Sequence, residues 1–170
     1  MGIKEETGKM GNLTEHFSLW EFKCPCSQCK KKKIHIDMNL VTRLEEVRRR
    51  VGGKPVNITS GVRCRAQNDR VGGASNSPHL PFYVTIKGKK VLRGCVAADI
   101  QVKGADPIFV AMMAETVSGM RIGIYPNHVH IDVMPPSPSK FWLVKKYGEA
   151  PIYSGNEKDL QNFLRKENVI

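Results

Sequence analysis

The run Asn127-His128-Val129-His130-Ile131-Asp132-Val133 sets two imidazoles and a carboxylate in strict alternation with apolar residues. A strand sends successive side chains to opposite faces, so His128, His130 and Asp132 share one face and Val129, Ile131 and Val133 the other. Neutral imidazole and carboxylate are zinc ligands, and both also serve as general bases. The same pattern equally fits a half-exposed strand with a solvated polar face. Three further segments hold polar groups that packing alone would not ask for. Ser60-Gly61-Val62-Arg63 ends an extended run on an arginine, Asn76-Ser77-Pro78-His79 sets a histidine in a small-residue loop, and Asp99 lies opposite the apolar side of its own alternating run.

Those side chains need a scaffold, and the pattern around them supplies one. Asp37 suits the N-cap of a helix over 38–51, where Leu40, Leu44, Val47 and Val51 recur at helical spacing and Gly52-Gly53 ends it. Arg48, Arg49 and Arg50 fall mostly off that stripe, as a solvated face would. Val56–Ser60 reads as a strand, and 66–71 as one or two helical turns closed by Gly72-Gly73. Residues 82–86 and 90–92 flank Lys87-Gly88-Lys89 as a β-hairpin. Over 96–102, Val96, Ala98, Ile100 and Val102 face one way and Ala97, Asp99 and Gln101 the other. Asp106-Pro107 pairs a cap with proline at the first helical position, starting a helix to about residue 117. Residues 121–125 and 128–134 are two more strands around a turn at Pro126-Asn127, and Pro135, Pro136 and Pro138 end the sheet. Asn156 is placed to cap a last helix with Leu160, Phe163 and Leu164 on its inner side. The predicted class is α+β: a single domain with a mainly antiparallel sheet flanked by helices.

The chain's 170 residues suit one domain with a real core. No apolar run is long enough to span a bilayer. Residues 1–14 are polar and charged, without the apolar centre of an export signal, so cytoplasmic synthesis is expected. Lysine and arginine number 27 against 16 aspartates and glutamates, a net charge of +11. Such a balance favours polyanionic partners: nucleic acid, an anionic membrane or an anionic wall. The cluster Lys30, Lys31, Lys32 and Lys33 has no aromatics interleaved for base stacking, which ranks a nucleic-acid-binding protein low. Five cysteines are too few and too irregular for a disulfide scaffold. Cys24, Cys26 and Cys29 read as reduced thiols or a local disulfide ahead of a small zinc knuckle, for which His35 is the nearest fourth ligand. Cys64 and Cys95 flank the polar segments and are candidates to pair with each other.

Taken in order, these motifs resemble a known family. Ile58-Thr59-Ser60-Gly61-Val62-Arg63-Cys64, Asn68, Val71-Gly72-Gly73-Ala74-Ser75-Asn76-Ser77-Pro78-His79-Leu80, Ala97-Ala98-Asp99-Ile100, Gly123-Ile124-Tyr125-Pro126 and His128-Val129-His130-Ile131-Asp132-Val133 are similar to the zinc D-alanyl-D-alanine peptidases. That group holds zinc D-alanyl-D-alanine carboxypeptidases, dipeptidases and phage endolysin peptidases. Phe17-Ser18-Leu19 with Glu21-Phe22 resembles the opening of the carboxypeptidase type, and the resemblance covers about residues 16–132. It implies a hedgehog/DD-peptidase-like fold and a Zn2+ bound by His79, Asp99 and His130. Two imidazoles and one carboxylate leave zinc an open fourth position, where the metal acidifies a water and polarises a carbonyl. Arg63 would pair with a substrate carboxylate or a developing oxyanion. Ser77 and Tyr125 would line the substrate site.

The chain departs from the family in two places. The family holds its first histidine and its aspartate much closer together, and removing 81–93, the expected hairpin, restores that spacing. A hairpin's ends lie side by side, so it inserts without parting His79 from Asp99. Many members also place a catalytic carboxylate where this chain has Asn127, which cannot act as a base. His128 then becomes the first choice for proton transfer and Asp132 the second, with a role orienting a ligand imidazole also open to Asp132. The expected organisation is a flexible arm over 1–15, a zinc peptidase domain over 16–150 with hairpin 81–93 inserted, and a C-terminal helix in 151–170 packed on the same domain. The resemblance implies a zinc metallopeptidase cleaving peptidoglycan stem peptides, of DD or LD type, with anionic wall polymers as further partners. Such an enzyme would act after lysis or as part of a phage particle. A wall-binding module of the same fold with catalysis weak or lost is the first rival.

Overall fold

The computed structural model of the chain describes residues 11–134 and 139–170. Residues 1–10 of the expected arm, and Pro135, Pro136 and Pro138, lie outside the described residues. Within 11–15 the Gly11 N–H donates to the Glu15 carbonyl at 3.0 Å. The next residue, His16, donates its N–H to Glu45 at 2.9 Å.

Asp37 caps α1 (Met38–Arg50), accepting from the Asn39 N–H at 2.8 Å. Leu40, Val41, Leu44 and Val47 are buried along one side of this helix. Arg49 and Arg50 are exposed and pair with Glu46. Then come β1 (Val56–Ser60), α2 (Arg65–Arg70), β2 (Phe82–Ile86), β3 (Lys89–Gly94) and β4 (Ala97–Val102). Asp106 caps α3 (Pro107–Glu115), accepting from the Ile108 N–H at 2.7 Å, with proline first in the helix as expected. The chain continues through β5 (Arg121–Ile124), β6 (Val129–Asp132), β7 (Phe141–Leu143), β8 (Ile152–Tyr153) and α4 (Leu160–Lys166).

Six strands form one sheet in the order β1-β4-β6-β5-β7-β8. Every pairing is antiparallel except β5 with β7. One face carries Ala98, Ile100, Val102, Ile122, Ile124, Val129 and Ile131 into the core. There α3 packs on β4, β5 and β6, with α1 and α4 against α3. The α+β class and the antiparallel sheet flanked by helices are as the pattern predicts. No helix among the described residues is long and apolar enough to cross a membrane.

β2 and β3 form a separate two-stranded sheet. Ile86 pairs with Lys89 around Lys87 and Gly88, both at positive φ (48° and 75°), the two-residue turn that matches strand twist. The expected three-residue centre is therefore one residue too long. Two strands, β7 and β8, were not expected: at three and two residues they are too short for alternation to register. The last helix is capped by Asp159, which accepts from the Asn162 N–H at 2.8 Å, and not by Asn156. Asp159 directly precedes the first helical residue, where a side-chain oxygen reaches the free N–H groups of the first turn. The inner residues Leu160, Phe163 and Leu164 are buried as expected.

The suggested Cys64–Cys95 pair does not form, and all five cysteines are free. Cys95 is buried with its thiol against the Ala97 carbonyl at 3.1 Å. Burial pushes that thiol up to about 12. Cys64 caps α2 instead and lies with Cys24 and Cys29.

Candidate active site

Register assembles most of the site. Ser60 pairs with Asp99, Asp99 with His130, His130 with Gly123, Gly123 with Trp142, and Trp142 with Tyr153. One row thus crosses all six strands on the face opposite the core. Opposed side chains on neighbouring antiparallel strands lie about 4.5–5.5 Å apart at Cβ, which brings the Asp99 carboxylate to the His130 ring.

His79 is delivered to that row by a loop. Asn68, wholly buried, donates its amide to the Gly73 and Ala74 carbonyls at 2.9 and 3.0 Å. Buried Ser77 accepts from the His79 N–H at 3.4 Å, so this residue shapes the histidine loop. The His79 Nδ1–H donates to the Gly61 carbonyl at 2.7 Å. A carbonyl can only accept, so Nε2 is left with its lone pair facing inward.

Three atoms that could ligate a metal converge there. His79 Nε2 is 3.2 Å from Asp99 Oδ1 and 3.2 Å from His130 Nδ1, and His130 Nδ1 is 2.8 Å from Asp99 Oδ1. Tetrahedral bonds of about 2.0–2.1 Å to zinc imply ligand separations of about 3.3 Å, close to those observed. Two imidazoles and a carboxylate are also the donor chemistry of a catalytic zinc site. The residues fit the metal.

The partners behind the ligands are equally specific. The His130 Nε2–H donates to Asp132 Oδ2 at 3.1 Å, on the opposite edge of the ring from the cluster. Asp132 is wholly buried, and Arg121 holds both its oxygens at 2.9 Å. The solvated-face reading of this strand fails on that burial. Arg63 donates to Asp99 Oδ2 at 2.6 Å and to Ser60 Oγ at 2.9 Å, so it holds the second oxygen of the ligand carboxylate.

His128 stands at the rim, with Nε2 4.0 Å from Asp99 Oδ1. Its Nδ1 is 2.9 Å from Asn127 Oδ1, which also accepts from the Tyr147 hydroxyl. Its ring stacks on Tyr125 at 4.4 Å and 11°. The Tyr125 hydroxyl in turn accepts from Trp142 Nε1 at 3.2 Å. Trp142 covers Gly123 and reaches His130, the ring centroids 5.1 Å apart. Only glycine fits at 123, because a Cβ would stand 2.3 Å from the indole.

Charge follows the same geometry. Burial works to raise the Asp99 carboxyl, but His79 and His130 outweigh it and hold it well below the usual carboxylate range. Burial lowers His79. Burial also works to lower His130, but its hydrogen bonds to the Asp132 and Asp99 carboxylates prevail and raise it to about 9. His128 is lowered, chiefly by burial. For Asp132, burial acts upward and is overcome by His130 and Arg121, leaving it lowered.

The structure therefore brings together His79, Asp99, His130, Arg63, His128 and Asp132, with Ser77 and Tyr125 as supports beside them. Arg121, Trp142 and Tyr147 were missed. Arg121 was within reach of the sequence, since a tight turn at Pro126-Asn127 pairs Ile124 with Val129 and so Arg121 with Asp132. Trp142 lies in a three-residue strand and Tyr147 in a turn after it, both too short to leave a periodic signal.

A search of the curated proteins returns no match. The family model described as Peptidase M15 matches residues 15–132 of the 170, a span that contains every candidate ligand and partner named here except Trp142, Tyr147 and Tyr153. The chain belongs to the peptidase M15 family, the zinc D-alanyl-D-alanine peptidases, whose members are zinc-dependent hydrolases of peptide bonds.

Proposed function

We propose that this protein hydrolyses stem peptides of bacterial peptidoglycan, at a bond involving a D-amino acid. The observation that carries the reading is the convergence of His79 Nε2, Asp99 Oδ1 and His130 Nδ1 beside a free imidazole edge, His128 Nε2. His79, Asp99 and His130 would hold the zinc, which when bound would supply a Lewis acid for the peptide carbonyl and for a water. His128 moves the proton: Asn127 holds its Nδ1–H, which leaves Nε2 to take a proton during attack and return it to the leaving amine. Asp132 and Arg121 fix the His130 ring, a positioning role that supersedes a part in proton transfer. Arg63 fixes Asp99, and its guanidinium edge not engaged there is the group for a substrate carboxylate. The stacked Tyr125 and the Trp142 ring wall the site.

The net charge of +11 suits anionic wall polymers and an enzyme that meets the wall after lysis or in a phage particle. Asn127 favours a second reading, a wall-binding module with catalysis lost. Mass spectrometry of purified peptidoglycan after incubation with the zinc-loaded protein separates the two. Newly cleaved stem peptides support the peptidase. Wall binding with zinc retained and every stem intact supports the module.

A further inference from the structure

A second group of metal-ligating side chains stands outside the active site. We propose that Cys24, Cys26, Cys29 and Cys64 bind one structural Zn2+ as a four-thiolate site. The thiols of Cys24, Cys29 and Cys64 all lie within 4.8 Å of one another. A tetrahedral zinc with bonds of about 2.3 Å to sulfur needs sulfurs about 3.8 Å apart, so small rotations bring them into place. Cys26, two residues after Cys24 and directly before the turn that carries Cys29, supplies the fourth thiolate. The ligand from outside C-x-C-x-x-C is thus Cys64, a cysteine remote in sequence, and His35 has no place in the group.

Backbone geometry already serves such a site. A short 3-10 turn, Ser27–Cys29, follows Cys26, and the Cys29 N–H closes on the Cys26 carbonyl at 2.9 Å. This tight turn is what lets C-x-C-x-x-C converge. The Cys64 N–H donates to Cys24 Sγ at 3.4 Å, and the Gln67 N–H donates to Cys64 Sγ at 3.4 Å. N–H groups aimed at sulfur favour thiolate. Cys24 and Cys29 are buried. On ligation each thiol gives its proton to solvent as its sulfur–zinc bond forms, with no change of oxidation state. Four thiolates around a divalent ion leave a net negative charge, and Lys23, Lys30, Lys31, Lys32 and Lys33 surround this segment in the chain.

The site would brace the active centre. The Val62 N–H donates to the Phe22 carbonyl at 2.8 Å, and a Cβ on Gly61 would stand 2.6 Å from Phe22 Cα, so the segments bearing Cys24 and Cys64 run in close contact. The second of these segments also carries the Gly61 carbonyl that orients His79 and the Arg63 that holds Asp99.

Cobalt reads this site separately from the His/Asp/His centre, because only thiolate ligands give sulfur-to-cobalt charge transfer in the near ultraviolet. Reduced, metal-stripped wild-type protein titrated with Co2+ should develop that band together with intense visible bands, saturating at one cobalt and bleached by Zn2+. Cys64→Ser should lose it, and Cys95→Ser should keep it. Absence of the band in reduced wild type overturns the proposal without recourse to any variant. So does its loss in Cys95→Ser, or a disulfide between any two of Cys24, Cys29 and Cys64 in protein isolated without reductant. These readouts stand whether or not the protein cleaves peptidoglycan.

Discussion

Asp132 accepts from His130 Nε2 at 3.1 Å while both its oxygens are held by Arg121 at 2.9 Å, so an arginine–carboxylate pair whose carboxylate is wholly buried fixes the outer edge of a candidate ligand imidazole. Carboxylates in this position set the tautomer of a ligating histidine and raise its basicity. Asp132→Asn should weaken zinc binding about 10–100-fold, measured by competition with a chromogenic chelator, with hydrolysis largely restored at saturating metal. Arg121→Leu strands a buried charge and should cost about 3–5 kcal/mol in urea denaturation. A full loss of hydrolysis in zinc-saturated Asp132→Asn would return Asp132 to proton transfer.

His128 is the one imidazole at the centre that is not committed to the ligand cluster. His128→Ala should lower kcat by about 10²–10⁴-fold with zinc stoichiometry unchanged. If that variant loses metal instead, the ring is a ligand and the proton carrier must be sought elsewhere.

Asn127 holds His128 and Tyr147 through one oxygen. Asn127→Ala removes that anchor and should reduce activity with zinc retained. Asn127→Asp keeps the acceptor, adds charge beside the ring and should raise activity above wild type. An inactive wild type rescued by Asn127→Asp would identify a lapsed enzyme that now only binds.

The alternating runs around Asp99 and His130 announced their strands, and the hairpin turn at Pro126-Asn127 set the register that faces Arg121 to Asp132. The caps Asp37 and Asp106 were equally legible, because a side-chain oxygen reaching back to a free N–H is a local event. The ligand set came from the resemblance, since nothing in spacing alone joins a loop histidine to two strands. What escaped was non-local or short: Trp142 on a three-residue strand, Asp159 in place of Asn156, and Cys64 beside Cys24 across a long stretch of chain.

The hairpin of β2 and β3 forms its own sheet and exposes Tyr83, Ile86 and Val91. Its base is less dispensable, since Arg93 pairs with the cap residue Asp37 and Phe82 packs on the core. Replacing 83–92 with a two-residue link should therefore leave zinc content and thermal stability close to wild type while changing which stem peptides are cut. Unfolding of this deletion would make the hairpin part of the core.

The most direct measurement takes wild type and His130→Ala side by side and records zinc per chain and stem-peptide hydrolysis on the same samples. His130→Ala should hold one zinc fewer than wild type, keep its sheet by circular dichroism, and release no cleaved stem peptide. Equal zinc content in the two proteins, or hydrolysis persisting in His130→Ala, would contradict a catalytic metal held by His79, Asp99 and His130.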